Sequence, residues 1–186
     1  MKTEKISDVL QGMDINTEDA IVTLSDRIWE IGNIDEIRQQ VSNAAFTFHI
    51  VANVIGNCKC DGWMSIVEDH ADLLPYISCA MSEIGLNKVS EATQNISNIF
   101  PLDISVLSSK EFCKVVNFVK GRQTDLEALK KYSESEQEKM SEQYFDTIDK
   151  LDDIAAELWD YGCPDNEGWG VVSRYLGKHL QDNFWK

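Results

Sequence analysis

The sequence predicts an all-α fold, a single compact domain over residues 1–186 with a buried central helix and a long acidic helix near the C-terminus. Three prolines and ten glycines are few breaks for 186 residues, and no segment alternates apolar and polar residues as a strand does. Apolar residues recur instead at helical spacing along most of the chain. With 43% hydrophobic residues, the chain can bury one sizeable core.

The N-terminal part predicts a capped helix followed by the central helix. Thr17 is a good N-cap for a helix whose apolar residues include Ile21 and Leu24. A second helix is predicted from Asn33. Residues 34–56 then carry apolar residues on two faces, which is typical of a helix buried between neighbours. We therefore expect this segment to be the central helix.

The middle of the chain predicts a turn and several shorter helices. The segment from Gly56 to Gly62 is typical of a turn. Ser108 and Glu111 have the spacing of a capping box, which marks the start of a helix. Residues 122–133 are compatible with either a short helix or a turn. The helices expected here cover residues 63–70, 73–84, 87–100 and 109–121.

The C-terminal part predicts the long acidic helix and a final helix that packs on the core. The long helix is expected from about Ser135 to Tyr161, where Gly162 and Pro164 break it. The final helix begins near Trp169 and is expected to reach Phe184, because apolar residues continue at helical spacing between them.

We expect no membrane-spanning segment and no export signal. It has no apolar run of 18 residues, and the segment Met1–Lys5 lacks the apolar region of a signal peptide. The five cysteines are an odd number and are scattered, which favours reduced thiols. We therefore expect a cytoplasmic protein.

Charge is the most informative property of the composition. The chain has 17 basic and 32 acidic residues, a net charge of −15. Residues 134–167 account for −10 and residues 14–36 for −6, so that the acidity belongs to two segments. Such a surface repels nucleic acid and attracts basic proteins, and proteins that bind DNA are basic where they do so.

Six carboxylates share one side of the predicted long helix. At 100° per residue they fall within a sector of roughly 80°, and they extend over about 27 Å at 1.5 Å per residue. An ordinary exposed helix mixes charge signs, whereas this row repeats carboxylates four residues apart. The row predicts an interaction surface, and the alternative is a solvated helix face. We call it the acidic stripe, which consists of Glu142, Asp146, Asp149, Asp153, Glu157 and Asp160.

The usual signatures of catalysis and of metal binding are missing from the sequence. There is no G-x-S-x-G, glycine-rich phosphate loop or H-E-x-x-H. Cys58 and Cys60, with the acids and the histidine at 68–70, do not match a zinc spacing. We expect His49 to be a hydrogen-bonded core residue and His179 to be a partly exposed packing residue. We therefore expect no catalytic residues, no metal and no cofactor.

A set of short motifs is spread over residues 29–184. They are Asp61-Gly62-Trp63, Leu74-Pro75, Glu83-Ile84-Gly85, Pro101, Leu151-Asp152-Asp153, Tyr175-Leu176, His179 and Phe184. In this order they resemble the DNA-mimic-protein-like family of small helical bacterial proteins. The family's usual Asn-Gly-Gly-Phe turn is replaced here by Cys60-Asp61-Gly62-Trp63. The resemblance implies a helical fold, a homodimer, and an acidic surface that imitates DNA in the binding site of a transcription factor.

Charge and resemblance together favour a binding protein over an enzyme. We expect a DNA-mimic decoy, meaning a protein that occupies the basic site of a nucleic-acid-binding protein. Two alternatives stay open: an immunity-type inhibitor of a toxin, and an enzyme that uses carboxylates. The expected partner is a basic protein, either a DNA-binding protein or a toxin. Direct binding to nucleic acid or to a membrane is not expected, whereas a homodimer is.

Overall fold

The computed structural model describes residues 4–94 and 96–186, and within these residues it contains ten helices and no β-strand. The predicted all-α fold is therefore confirmed. Short 3₁₀ helices cover Ile96–Ile99, Ile104–Val106 and Glu127–Leu129. The helices are α1 (Ile6–Leu10), α2 (Glu18–Trp29), α3 (Ile34–Gln40), α4 (Asn43–Asp69), α5 (Leu74–Ile84), α6 (Asn87–Thr93), α7 (Ser109–Val119), α8 (Glu134–Trp159), α9 (Pro164–Glu167) and α10 (Trp169–His179).

Helix α4 is the centre of the molecule. Its 27 residues correspond to about 40 Å of helix, and α2, α5, α8 and α10 all pack against it. Its buried residues lie on all sides, as the two apolar faces predicted. The buried apolar residues that the structure describes form one cluster, to which α4 contributes residues from all its sides. None of the helices in the described part of the chain combines the length and the apolar character needed to cross a membrane.

The central helix begins later than predicted, because residues 34–56 are divided between α3 and α4. Val41 is extended and forms an isolated β-bridge with Trp185. The N–H of Ser42 donates to the carbonyl of Phe184 at 2.8 Å, and the Ser42 hydroxyl accepts from the N–H of Ala45 to cap α4. The C-terminal segment thus interrupts a helix that local spacing alone would continue.

The turn predicted from Gly56 to Gly62 is wrong, because α4 continues through it. Gly56 is helical and faces the ring of Trp169. Only Gly62 leaves the helical region, with φ 73° and ψ −179°. The helix resumes at Trp63, whose N–H donates to the Asp152 carboxylate on α8 at 2.9 Å. The predicted helix 63–70 is therefore the last part of α4.

Several predicted helix starts are confirmed by their caps. The Thr17 hydroxyl accepts from the N–H of Ala20, and a capping box joins Ser108 to Glu111. The helix predicted over 73–84 is α5, with Pro75 in its first turn.

Other boundaries differ from the prediction. The segment 87–100 divides into α6 and a 3₁₀ helix, with Asn95 between them outside the described residues. The long helix α8 ends at Trp159, two residues before the predicted end. Helix α10 ends at His179, and Phe184 reaches the core from the non-helical segment that follows. Helix α1 was not predicted at all.

Candidate functional site: the acidic stripe of α8

One face of α8 is fixed to the core by apolar packing. Helices α4, α6 and α7 contact it, and the Trp159 ring lies beside the Trp63 ring of α4, with centroids 6.4 Å apart. Large buried side chains of this kind each contribute about 1.5–3 kcal/mol through loss of exposed apolar area. The buried residues of this face are Tyr144, Ile148, Leu151, Ala155 and Trp159.

Two polar contacts further fix α8 against α4. The Tyr144 hydroxyl donates to the Glu68 carboxylate at 2.9 Å, and Lys120 of α7 reaches the same oxygen at 2.7 Å. Burial and the neighbouring carboxylate raise the pKa of Tyr144, so that it remains a donor. The second contact is the hydrogen bond from the Trp63 N–H to Asp152. Asp152 is thus an acid of α8 with a structural role.

All six residues of the acidic stripe are solvent-exposed on the opposite side of α8. The first five belong to the helix itself. Asp160 is its C-cap, with φ −65° and ψ 163°, so that the backbone leaves the helix at this residue. The structure therefore places the first five stripe residues on one face of α8 with the spacing that the sequence predicts, and Asp160 follows directly after the helix.

Pairing with basic residues is slight. Glu157 accepts from Lys88 of α6 at 2.9 Å, but these side chains are 65% and 70% exposed, and such pairs contribute little to stability. The carboxylates of the other five make no hydrogen bond or ion pair with residues that the structure describes. Lys150 borders the stripe, four residues after Asp146, and moderates its potential without pairing with it in the structure.

The stripe is less densely charged than a DNA strand. Its carboxylates follow one another at about 5 Å along the helix axis, whereas a single strand of B-DNA presents one phosphate per about 3.4 Å of axis. A basic surface can therefore recognise the sign and direction of the row. It does not meet a phosphate-by-phosphate copy of a duplex.

The second acidic segment, residues 14–36, differs from the stripe because many of its carboxylates already serve local structure. The backbone N–H of Asn16 donates to Asp14 at 3.0 Å and lowers its pKa. Glu36 accepts from the N–H of Asn33 in a capping box, and Glu30 pairs with Arg27. This segment therefore offers a partner fewer free carboxylates than its net charge indicates.

The cysteines considered as metal ligands do not converge. Cys58 is buried, and burial raises the pKa of its thiol to about 12, whereas Cys60 is exposed. Glu68 is already held by Lys120 and Tyr144. Among the described residues, no three donors of His, Cys, Asp or Glu lie close enough together to hold a metal ion.

The two predictions for histidines are confirmed. His49 is fully buried, and its Nδ1 lies 3.2 Å from the side-chain nitrogen of Asn53. His179 is half-buried, stacks on Tyr175 with ring centroids 4.4 Å apart, and pairs with Asp182.

A half-open groove of about 640 Å³ lies apart from the stripe. It is formed by α3, the α4–α5 corner, the 3₁₀ helix Ile104–Val106 and the start of α7. Three of its four acidic residues lie within the short segment 68–72, and only the fourth, on α3, is brought to them by the fold. The acidic residues of this groove are Asp35, Glu68, Asp69 and Asp72.

No protein-family model matches the chain, and no curated protein or solved structure shows significant similarity to it.

Proposed function

We propose that this protein is a non-catalytic binding protein whose acidic stripe occupies the basic site of a nucleic-acid-binding protein. The observation that carries the proposal is a row of five exposed carboxylates, four of them unpaired, on a helix whose other face is fixed to the core. The resemblance of the sequence motifs to the DNA-mimic-protein-like family supports the same function.

The stripe has the properties that electrostatic recognition requires. Its carboxylates lie on a helix held by buried aromatic residues and by two polar contacts with α4, so that little conformational entropy is lost when a partner binds. Lysine and arginine side chains that bind phosphates in a DNA complex can meet these carboxylates instead. The negative charge of the stripe also attracts a basic partner over a distance, which accelerates association and makes the association rate sensitive to salt.

A triple variant tests the stripe directly. Replacing Asp146, Asp149 and Asp153 with Asn removes three exposed charges without touching the apolar face of α8, so the fold should persist. Affinity for the partner should fall by roughly 1–3 kcal/mol, and its dependence on salt should weaken. The matched control replaces Glu18 with Gln and Asp19 and Asp26 with Asn on α2, which changes the net charge equally.

The experiment begins with capture of the partner from an extract of the cells that express the protein. Mass spectrometry identifies the proteins that bind to the wild type and to the α2 variant but not to the stripe variant. Random-sequence duplex DNA should displace the retained protein, because a decoy and DNA compete for one site. Binding that resists DNA but depends on the stripe would indicate the immunity-type inhibitor instead. Equal retention by all three proteins would contradict the proposal.

We also expect a homodimer, following the family resemblance. Sedimentation velocity at micromolar concentration should show a species of about twice the 21.1 kDa chain mass. Only a monomer under these conditions would contradict this prediction, and it would leave the test of the stripe unaffected.

A further inference from the structure

The half-open groove combines apolar walls with an acidic rim. Its apolar surface comes from side chains such as Ile34, Leu107 and Phe112, which belong to three different elements. Val106 lies between two residues that line the groove, and it is 76% exposed. A concave surface that combines apolar walls with a few polar groups is typical of a binding site.

The charges of the groove are partly neutralised and partly free. Lys120 pairs with Glu68 at 2.7 Å, and the Tyr76 hydroxyl donates to Asp35 at 3.3 Å. The carboxylates of Asp69 and Asp72 make neither a hydrogen bond nor an ion pair with a described residue. Among the described residues of the groove, only Glu68 is neutralised by a cation. The Asp35 carboxylate keeps its charge, because a tyrosine hydroxyl is neutral, and Asp69 and Asp72 add two carboxylates that have no polar partner among the described residues.

Arg38 is a second basic group close to the groove, beside Tyr76. Its guanidinium lies 5.0 Å from the centre of the Tyr76 ring and contacts the hydroxyl of the same residue at 3.5 Å. It therefore covers Tyr76 and does not neutralise Asp69 or Asp72. The groove therefore offers a ligand apolar walls and, at its rim, two carboxylates without a polar partner among the described residues.

We infer that this groove binds an arginine or lysine of the basic partner together with an adjacent apolar side chain. Such side chains have an aliphatic stem that packs on apolar surface and a cationic head that stays at the rim. The apolar walls match the stem and its neighbour, and Asp69 and Asp72 match the head. This inference rests on the proposed function only in that the partner is a basic protein.

The groove is a second contact, separate from the stripe. No stripe residue is among those that line it. Its volume of about 640 Å³ lies within the range of sites that enclose a ligand or a few side chains. The stripe would then supply long-range attraction and the groove would hold one anchor residue, since well-packed anchors dominate binding energies.

A synthetic peptide tests the groove without the natural partner. The probe is acetyl-Gly-Leu-Arg-Leu-Gly-amide, and its matched control carries citrulline, the uncharged isostere of arginine. Backbone amide shifts of the full chain are followed by NMR during titration. The arginine peptide should shift the amides of Ala71, Asp72 and Val106, and the citrulline peptide should bind at least about threefold more weakly, since an exposed ion pair is lost.

Two protein variants of equal charge locate the site. The double variant Asp69→Asn and Asp72→Asn should weaken the arginine peptide about three- to tenfold, because two exposed ion pairs are removed. The double variant Asp146→Asn and Asp149→Asn should change its affinity less than about twofold. Equal weakening by both variants, or equal binding of the citrulline peptide, would overturn the inference.

Cys113 provides a second readout at the same place. It lines the groove and is exposed, whereas Cys60 is exposed and does not line it. Saturating arginine peptide should slow alkylation of Cys113 by iodoacetamide, while Cys60 reacts at an unchanged rate. Unchanged alkylation of Cys113 would place the peptide elsewhere and overturn the inference. Because no natural partner takes part, failure of the groove test and failure of the stripe test are distinguishable.

Discussion

Replacing Gly62 with Ala should destabilise the protein by about 2–4 kcal/mol. The backbone of Gly62, with φ 73° and ψ −179°, lies in a region that is essentially restricted to glycine and costs other residues about 1–3 kcal/mol. A Cβ would also lie 3.3 Å from the Asp152 carboxylate. That carboxylate accepts from the Trp63 N–H, and a buried donor that loses its acceptor costs about 1–3 kcal/mol more.

Gly56 supplies the matched control in the same helix. It is helical, and a Cβ there would lie 3.8 Å from the Trp169 ring, an ordinary contact distance. Alanine at this position should therefore be neutral or stabilise the protein by up to about 1 kcal/mol, because alanine favours helix more than glycine does. Urea unfolding of both variants gives the comparison. If Gly62→Ala is as stable as the wild type, the interruption in α4 is not a constraint on the fold.

The effect at Gly62 bears on the stripe because α8 is attached beside it. The Asp152 side chain, the Trp63–Trp159 contact and the Tyr144–Glu68 hydrogen bond all join α8 to α4. Loss of the hydrogen bond to Asp152 should also weaken the contact between the Trp63 and Trp159 rings, since Trp63 follows Gly62 directly. A less firmly attached α8 would present the stripe carboxylates less rigidly, and affinity for a basic partner should fall even though no charge has changed.

Local patterns were sufficient to predict the helical class and several helix starts. Thr17, Ser108 and Asn33 cap helices through atoms only a few residues away, so that the signal is contained in a short window. The buried face of α8 could also be predicted, because its apolar residues follow one another at helical spacing.

The errors arose where distant segments decide the backbone. Val41 is extended because the C-terminal segment pairs with it, and nothing in the residues around it indicates this pairing. Gly56 and Gly62 give the same local signal for a turn. Gly56 is nevertheless helical and faces the Trp169 ring, whereas Gly62 leaves the helical region beside Asp152, which accepts from the next backbone N–H. Helix α1 is held by backbone hydrogen bonds to residues near the C-terminus, from Ile6 to Asp182 for example.

The same distinction between local and distant information applies to the candidate functional surfaces. The stripe lies on one helix, so its residues could be found from spacing alone, and only the contacts of Lys88 and Asp152 required the structure. The groove is assembled from elements that are far apart in sequence. Its free carboxylates, Asp69 and Asp72, have no periodicity that would distinguish them from other exposed acids.

Replacing His49 with Phe should remove about 3 kcal/mol of pH dependence from the free energy of unfolding. His49 is fully buried, and this desolvation lowers its pKa from 6.5 to about 4. The folded protein therefore keeps the imidazole neutral at a pH at which the unfolded chain binds a proton. Stability is then lost as the pH falls from about 6.5 to about 4, at about 1.4 kcal/mol for each unit of pKa difference.

The substitution is suited to the site because His49 has few polar contacts. Its Nε2 is buried and has no hydrogen-bond partner within the described part of the chain, and its ring lies edge-on to Trp29 with centroids 4.6 Å apart. The side-chain nitrogen of Asn53 also donates to the carbonyl of His49 at 2.7 Å, so that Asn53 keeps a partner when the imidazole is lost. A phenyl ring fills the space and leaves no unpaired nitrogen, although slight overpacking can lower stability at every pH.

Urea unfolding of wild type and His49→Phe between pH 8 and pH 4 separates the two effects. Overpacking changes the difference in stability equally at all pH values, whereas protonation of His49 changes it only below about pH 6.5. Carboxylates whose pKa is lowered by hydrogen bonds, such as Glu111 and Asp165, destabilise both proteins as the pH falls through their folded pKa values, and their contribution cancels in the difference. Between pH 8 and pH 4, the free energy of unfolding of the wild type should therefore fall by about 3 kcal/mol more than that of the variant. Parallel curves over the whole range would show that His49 is protonated in the folded protein without penalty, and that its burial does not exclude charge.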